Sequence, residues 1–410
     1  MKKYKKRLVT QKLHKLFRNF PVVIVTGARQ VGKSTLLQHE FGKAMDCVVF
    51  DPVQDIGNAR QDPGRFLDNN PSPIILDEIQ YAPELVSHIK RRIDETKRNG
   101  QYILTGSQQW EAMKHIAESL AGRAVFIDLK GFSLREISPE KNRAIKQETW
   151  LEEWLADPKK FIKKKKARLK TSRTLYEQLW RGFLPRVQTM TKEIITDFHE
   201  GYFRTYVERD IRLLTETQDL QTFNRFIKLI AALTAQEINF SELGREIGIN
   251  PQTAKKWLNV IEGTFQWFSI PAFSGNMIKR VSNKPKGYFA DTGLICNAQA
   301  ISSPKALGGH PLLGAVFETA VVTEILKLSA AMTTRANMYH WRVHSGAEVD
   351  VILEKDGIHY PIEIKIKSNP SGSDTRGITA FRERYPKLKI APGLVLCPCD
   401  QFSQLSDNDY

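Results

Sequence analysis

The sequence predicts an α/β protein of several domains, with a parallel sheet at its N-terminal end. Three observations carry this. Short apolar runs rich in β-branched residues alternate with helical patterns between Pro21 and Leu129. A glycine-rich loop joins the first of these runs to a helix. Near the C-terminus two more strand-like runs are split by Lys355-Asp356-Gly357, and Asp-Gly is a strong hairpin signal. The 410 residues allow roughly two to four domains of about 100–200 residues.

Composition narrows the class. With 41% hydrophobic and 26% charged residues, wholesale disorder is excluded. No apolar run reaches the ~18 residues of a membrane helix, and the basic first 20 residues lack a secretory h-region. Cys47, Cys296, Cys397 and Cys399 are too few for a disulfide framework, and Cys397-Pro-Cys399 has no second ligand pair for zinc. A cytoplasmic, soluble protein with no membrane partner is expected. The net charge of +16 is concentrated. Residues 1–18 contribute +8 and residues 159–173 contribute +9, neither with an acid, so the rest is almost neutral. Two such segments suit a polyanion such as DNA, or equally a solvated surface that aids solubility.

Pro21-Val-Val-Ile-Val-Thr26 suits a buried parallel strand. It runs into Gly27-Ala28-Arg29-Gln30-Val31-Gly32-Lys33-Ser34, which fits G-x-x-x-x-G-K-[ST] in full, followed by Thr35 and a helix with Leu36, Leu37 and Phe41. Glycines let backbone amides turn inward around phosphates, and the helix N-terminus adds partial positive charge. In this arrangement residues 27–35 cradle ATP, Lys33 reaches the β- and γ-phosphates, and Ser34 ligates Mg²⁺.

A second run, Ile74-Ile75-Leu76, ends in Asp77-Glu78. Asp77 can hold Mg²⁺ through water while Glu78 orients and deprotonates the attacking water; the pair also reads as cap acids of a helix starting near Pro83. Two adjacent acids favour hydrolysis over phosphoryl transfer to a small molecule. Tyr102-Ile-Leu-Thr105 leads to Gly106-Ser107, whose polar tip lies where P-loop ATPases of this layout keep a γ-phosphate sensor. Ser107 is the first choice and Thr105 the second. Pro83–Arg98 reads as an amphipathic helix, and Ala124–Leu129 as a further strand behind Ser119-Leu-Ala-Gly-Arg123. Arg123 has two readings, an arginine finger for a neighbouring subunit or a surface arginine capping the sheet edge.

GARQVGKST, IILDEIQ, YILTGSQ and ESLAGR together resemble the AAA+ ATPases of bacteria and archaea that carry a fused C-terminal domain of uncertain role. GFLP (Gly182–Pro185) and YFRTYVERDI (Tyr202–Ile211) resemble linker motifs of that family, with Arg181 where members often have a second glycine. The resemblance spans most of the chain and implies ATP and Mg²⁺ as cofactors.

Residues 138–225 read as a helical lid, with Trp150, Leu151, Trp154 and Leu155 as a core stripe and the lysine run as a local elaboration. Arg204, Arg209 and Asp210 are expected in buried ion pairs there. Next comes a helix-turn-helix pattern. One helix ends at Gly248, Asn250 caps the next, Pro251 opens it, and Gln252, Lys255, Lys256 and Asn259 face outward. Phe265–Ile270 and Lys286–Phe289 would pair as a β-wing. Such a winged helix suits a DNA major groove, and suits a protein contact as well.

In the C-terminal part, Leu312–Leu328 reads as a helix carrying Glu318 and Glu324. A two-residue loop at Asp356-Gly357, or a four-residue loop centred on it, pairs 355 with 358 and sets Asp350 opposite Glu363, whereas a three-residue loop would shift this register. Alternation puts Glu348 and Asp350 on one face, and Glu363 and Lys365 on one face of the partner strand. Two carboxylates facing across a ladder repel unless a cation lies between them. A divalent metal held by Glu318, Asp350 and Glu363 would relieve this, with Lys365 positioning a nucleophilic water. The pattern resembles the PD-(D/E)xK nuclease superfamily, with Val349 in place of the usual proline. The alternative is a non-cleaving fold whose acids are held by Lys365 or Arg342. His340, His344 and His359 read as solvent-exposed strand residues.

The predicted organisation is a P-loop AAA+-type core (1–137), a helical lid with a basic insertion (138–225), a winged helix (226–300) and a small restriction-endonuclease-like α/β domain (301–410). Two functions follow: an ATPase acting on or sensing DNA, or a nucleotide-gated switch for a protein partner. An oligomer is compatible with either.

Overall fold

The computed structural model describes residues 4–50, 56–107, 118–139, 148–164, 169–207, 219–276, 278, 280, 283–343 and 346–410. Lys165, Lys166, Arg168, Arg209, Asp210 and His344 lie outside the described residues. The chain divides into two compact units. One is Met1–Phe132 with Leu184–Arg186 and Val260–Gln266; the other is Ser133–Phe183, Val187–Asn259 and Trp267–Tyr410.

The first unit is built on five parallel strands: β1 (Val22–Thr26), β2 (Asp46–Val49), β3 (Ile74–Asp77), β4 (Tyr102–Gly106) and β5 (Ala124–Asp128). Their order is β2-β3-β4-β1-β5. β1, β3 and β4 are buried on both faces, which is why they read as unbroken apolar runs. β2, at the edge, is largely exposed and lacks that signal. Helix α1 (Thr10–Asn19) precedes β1, and α2 (Lys33–Phe41) follows the glycine-rich loop. Helix α3 (Leu85–Thr96) packs Leu85, Val86, Ile89 and Ile93 into one cluster with Ile24, Leu76 and Leu104. The helical period of its apolar residues meets the two-sided strands, as a parallel sheet with covered faces requires.

In the second unit, α4 (Trp150–Ala156) opens with a capping box of Thr149 and Glu152. Its Trp154 packs edge-on against Tyr360, whose hydroxyl donates to the Leu155 carbonyl at 2.9 Å. Leu151, Trp154 and Leu155 of the predicted stripe are core, whereas Trp150 is half-buried and lines a cavity. Helices α5 (Leu220–Ala232), α6 (Phe240–Ile247) and α7 (Pro251–Gly263) follow. Gly248 in the left-handed region ends α6, and Asn250 accepts the Thr253 amide at 2.7 Å to start α7. Phe223 and Phe226 pack edge-on against Trp257, while Gln252, Lys255, Lys256 and Asn259 are exposed. Strands β7 (Trp267–Ile270) and β8 (Lys286–Phe289) pair antiparallel, and the short β6 (Gln236–Glu237) adds to the other side of β8.

The C-terminal sheet has β9 (Asn337–Arg342), β10 (Glu348–Lys355) and β11 (Ile358–Ile364) in an antiparallel path, with β12 (Lys389–Ile390) and β13 (Leu394–Leu396) parallel to β11. The β10–β11 register runs from Lys355↔Ile358 to Val351↔Ile362, the register the Asp-Gly turn predicts. Helix α8 (Leu313–Ala331) is buried around most of its circumference. Helix α9 (Arg376–Arg384) sets Ile378 and Phe381 against Val349 and Ile352.

Two expectations need correction. His340 and His359 are both about 3% exposed, because segments from elsewhere in the chain cover them: the Lys284 backbone lies by His340 and the Phe273 ring lies edge-on to His359. Burial pushes the His340 imidazole down to about 4, and its Nε2 lies 3.1 Å from the Lys284 carbonyl. Arg204, in turn, pairs with Glu200 at 2.6 Å on the surface, not in the interior.

Candidate functional site

The glycine-rich loop leaves the C-terminal end of β1, where parallel strands present their ligand-binding edge. A Cβ on Gly27, whose φ is 146°, would overlap the Leu129 carbonyl, so only glycine fits there. Gln30 and Gly32 are also left-handed, with φ of 61° and 95°. Arg7 holds this contorted loop from outside. Its guanidinium donates to the carbonyls of Val31 (2.8 Å), Lys130 (2.5 Å) and Gly131 (3.4 Å) and lies over the Phe132 ring. The charge count of residues 1–18 treats Arg7 as one more surface cation. In fact it is buried.

Lys33 is 5% exposed, and its ammonium donates to the Gly27 and Ala28 carbonyls at 2.8 and 3.3 Å. Its ammonium is thus held against the loop's own backbone, in the loop position from which a P-loop lysine reaches the β- and γ-phosphates. Ser34 Oγ donates to Asp77 Oδ2 at 2.6 Å. A hydroxyl and a carboxylate in contact are hard oxygen donors that fit Mg²⁺, which keeps several waters besides its protein ligands. Thr105 Oγ1 donates to the other Asp77 oxygen and accepts the Glu78 amide at 3.0 Å.

Glu78 has φ 60° and ψ 47°, a left-handed conformation costly for a residue with a Cβ. The bond to Thr105 and a second polar partner hold it there. Gln80 Nε2 donates to Glu78 Oε2 and to Ser107 Oγ, the latter at 3.3 Å. Gln80 thus ties the base candidate to the sensor candidate. The sequence reading passed over it, although it stands two residues past the acid pair. Arg29 donates to the Tyr81 hydroxyl at 3.3 Å. Arg123 stands at the N-terminal end of β5, the opposite end of the sheet from Lys33, Asp77 and Ser107. Its guanidinium forks onto Asp94 at 2.6 and 2.9 Å.

The second unit gathers the C-terminal candidates. The β9–β10 register slips between Val349 and Ile352, so the irregularity falls at Asp350-Val351. Asp350 is 4% exposed, and its Oδ2 accepts the Ile364 amide at 2.9 Å. Lys365 pairs with Glu363 at 2.6 Å and lies 4.0 Å from Asp350. Glu363 Oε2 is buried with no hydrogen-bond partner among the described residues. Burial, then the Asp350 charge, push the Glu363 and Glu318 carboxyls well above the usual range. Arg342 pairs loosely with Glu348 at 3.8 Å and not with the buried acids.

Lys286, at the start of β8, was not anticipated. Its ammonium lies 2.6 Å from Glu318 and 3.2 Å from Asp350. Tyr288, two residues on and so on the same face of the strand, donates to Glu318 at 2.7 Å. Burial alone would push Lys286 down, but the charges of Glu318 and Asp350 outweigh it and hold the ammonium protonated. Among the described residues, no group of three or more His, Cys, Asp or Glu side chains is arranged to hold a metal ion.

Comparison with known proteins matches this geometry in the first unit. Residues 19–138 match the family model described as an AAA domain. With the parallel sheet and the complete loop, this part of the chain is a P-loop domain of AAA type. Residues 172–305 and 313–410 each match a domain of unknown function (DUF8612 and DUF4143). Along 405 residues the chain is 27% identical to uncharacterized proteins of Mycobacterium tuberculosis (Rv2008c) and Mycobacterium bovis (Mb2031c), covering 98% of this chain and 82% of each relative. Among solved structures, the Walker-type ATPase PABY2304 of Pyrococcus abyssi aligns over 71% of this chain and 94% of its own, at 14% identity and TM-score 0.40. AMPPCP-bound DnaA from Aquifex aeolicus aligns over 62% and 86%, at 12% identity and TM-score 0.27. No described helix is long and apolar enough to cross a membrane.

Proposed function

We propose that the chain is a Mg²⁺-dependent ATP hydrolase whose nucleotide cycle governs contact with DNA. The observation that carries the hydrolase reading is the linked set at the strand ends: Lys33 in the loop, Ser34 on Asp77, and Glu78 joined through Gln80 to Ser107. In this reading residues 27–35 wrap the phosphates, and Lys33 takes their β- and γ-oxygens. Ser34 and Asp77 hold Mg²⁺, which when bound neutralises charge on the phosphates. Glu78 accepts a proton from the attacking water, and Ser107, oriented by Gln80, marks the γ-phosphate position. The Asp94 fork on Arg123 favours the capping role for that residue over a finger.

The DNA half of the reading rests on the exposed Gln252, Lys255, Lys256 and Asn259 of α7 and on the basic segments. We assign 1–137 to the ATPase core, 138–225 to a helical lid, 226–300 to a winged helix and 301–410 to a nuclease-like domain. The irregular Asp350 strand, its hairpin partner Glu363 and Lys365 support the last assignment. A second reading, a nucleotide-gated switch for a protein partner, is favoured by the lysines that already neutralise the C-terminal acids.

Steady-state ATP hydrolysis with and without duplex and single-stranded DNA tests both. Turnover stimulated by DNA, reduced by orders of magnitude in Glu78→Gln and lost with binding in Lys33→Ala, is the expected result. Hydrolysis indifferent to DNA would leave the protein-partner switch. Normal turnover in Glu78→Gln would remove Glu78 as the base.

A further inference from the structure

We infer that Lys286 is the resident cation of the C-terminal carboxylate cluster: its ammonium takes the place of the divalent metal that Glu318, Asp350 and Glu363 would otherwise share. The cluster is thereby an ion-pair joint that fastens β8 to α8 and β10, and not a metal centre. The inference uses the nuclease-like reading only for the expectation of a metal.

Charge and geometry agree on this. Asp350 stands between two further largely buried carboxyls, sharing Lys286 with Glu318 and Lys365 with Glu363, and cations are needed to hold the acids there. Lys286 sits within contact distance of two of them, 2.6 Å from Glu318 and 3.2 Å from Asp350. Lys365 takes the third, at 2.6 Å from Glu363. Two ammonium groups against three carboxylates leave a single excess negative charge, so most of the repulsion is already met by side chains of the chain itself. A divalent ion added to these five groups would leave the site positive and set a second cation against Lys286 at bonding distance. Tyr288 completes the joint by donating to the same Glu318. β8 therefore contributes both a cation and a hydroxyl from one face, a pairing suited to fastening.

The surroundings leave room for the alternative to be tested. A polar cavity of about 330 Å³ is lined by Lys286, Glu318, His340, Arg342 and Glu348, among others. Removing the lysine side chain would open the carboxylates to a hydrated ion from this cavity.

The test is Mn²⁺ binding by the nucleotide-free full chain, followed by electron paramagnetic resonance and calorimetry, in wild type, Asp350→Asn, Lys286→Ala and the Lys286→Ala/Asp350→Asn double variant. Neither ATP nor DNA is present, so failure of the ATPase or DNA proposal does not touch the outcome. Wild type and Asp350→Asn should bind Mn²⁺ alike, with no site that depends on Asp350. Lys286→Ala should lose thermal stability, gain one Asp350-dependent Mn²⁺ site at least ~10-fold tighter than anything wild type shows there, and recover melting temperature on Mn²⁺ addition. An Asp350-dependent Mn²⁺ site in wild type would overturn the inference. So would a folded Lys286→Ala that gains none. If Lys286→Ala does not fold, Lys286→Met/Glu318→Gln removes one charge of each sign, and the wild-type comparison with Asp350→Asn still decides.

Discussion

Arg7→Met isolates what holds the nucleotide loop in shape. The guanidinium makes two short bonds, to Val31 and Lys130, and each charge-assisted bond of this kind contributes about 1.5–3 kcal/mol. Methionine fills the volume against Phe132 but leaves both carbonyls without their donor. Some of the loss returns as water or neighbouring amides reach them, so a net cost of about 2–4 kcal/mol to the first unit is expected. The functional effect is separable. Val31 lies between Gln30 and Gly32, both left-handed, and the tether at its carbonyl keeps that shape before any phosphate arrives. Re-forming the strained Gln30 conformation on binding costs about 1–2 kcal/mol, which is roughly 5–30-fold in affinity. Titration with a fluorescent ATP analogue should show that loss in Arg7→Met and a smaller one in Arg7→Lys, which keeps one donor but not the fork. Wild-type affinity and wild-type urea stability in Arg7→Met would refute the reasoning and return Arg7 to the solvated segment that charge counting suggests.

Three further outcomes are expected. Glu78→Gln should bind nucleotide within a few-fold of wild type while turnover falls by roughly 10²–10⁴, measured by phosphate release. Gln80→Ala should lower turnover by roughly 10-fold with affinity kept, because it orients both Glu78 and Ser107; an unchanged rate would remove it from the site. Burial pushes the Glu324 carboxyl up from 4.5 to about 7, so the folded chain keeps a proton that the unfolded chain releases. The associated stability is present below pH ~4.5 and lost as pH rises through ~7, at most about 3 kcal/mol. Urea midpoints from pH 4.5 to 8 should fall more steeply in wild type than in Glu324→Gln.

What the sequence made legible was local. The strand–loop–helix order around Gly27–Ser34 is contiguous, so each residue constrains its neighbours and the loop could be read outright. The hairpin was equally readable, since Asp356-Gly357 fixes one pair and a two-residue period fixes the rest. Sidedness on α7 followed from its period, which buried Trp257 and exposed Lys255 and Lys256. Where partners are distant, reading failed. Arg7 and Gly131 are 124 residues apart, and nothing in a run of eight cations marks the one that turns inward. The strand histidines failed for a related reason. Their exposure depends on a layer that their own strands do not encode: Phe273, which packs in turn on Phe381 of α9, lies edge-on against His359.

The carboxylate cluster shows this limit at its sharpest. Asp350, Glu363 and Lys365 could be paired from one hairpin, and the repulsion between the acids correctly demanded a cation. Which cation was beyond reach, because Lys286 lies 64 residues before Asp350 and belongs to a different sheet. A metal and a lysine answer the same electrostatic demand with different consequences. A metal brings open coordination positions and so a bound water to activate, whereas an ammonium group at 2.6 Å spends its charge on hydrogen bonds. The same three acids are therefore a hydrolytic centre or a fastening according to one side chain supplied from elsewhere in the chain, and in this fold that side chain is present.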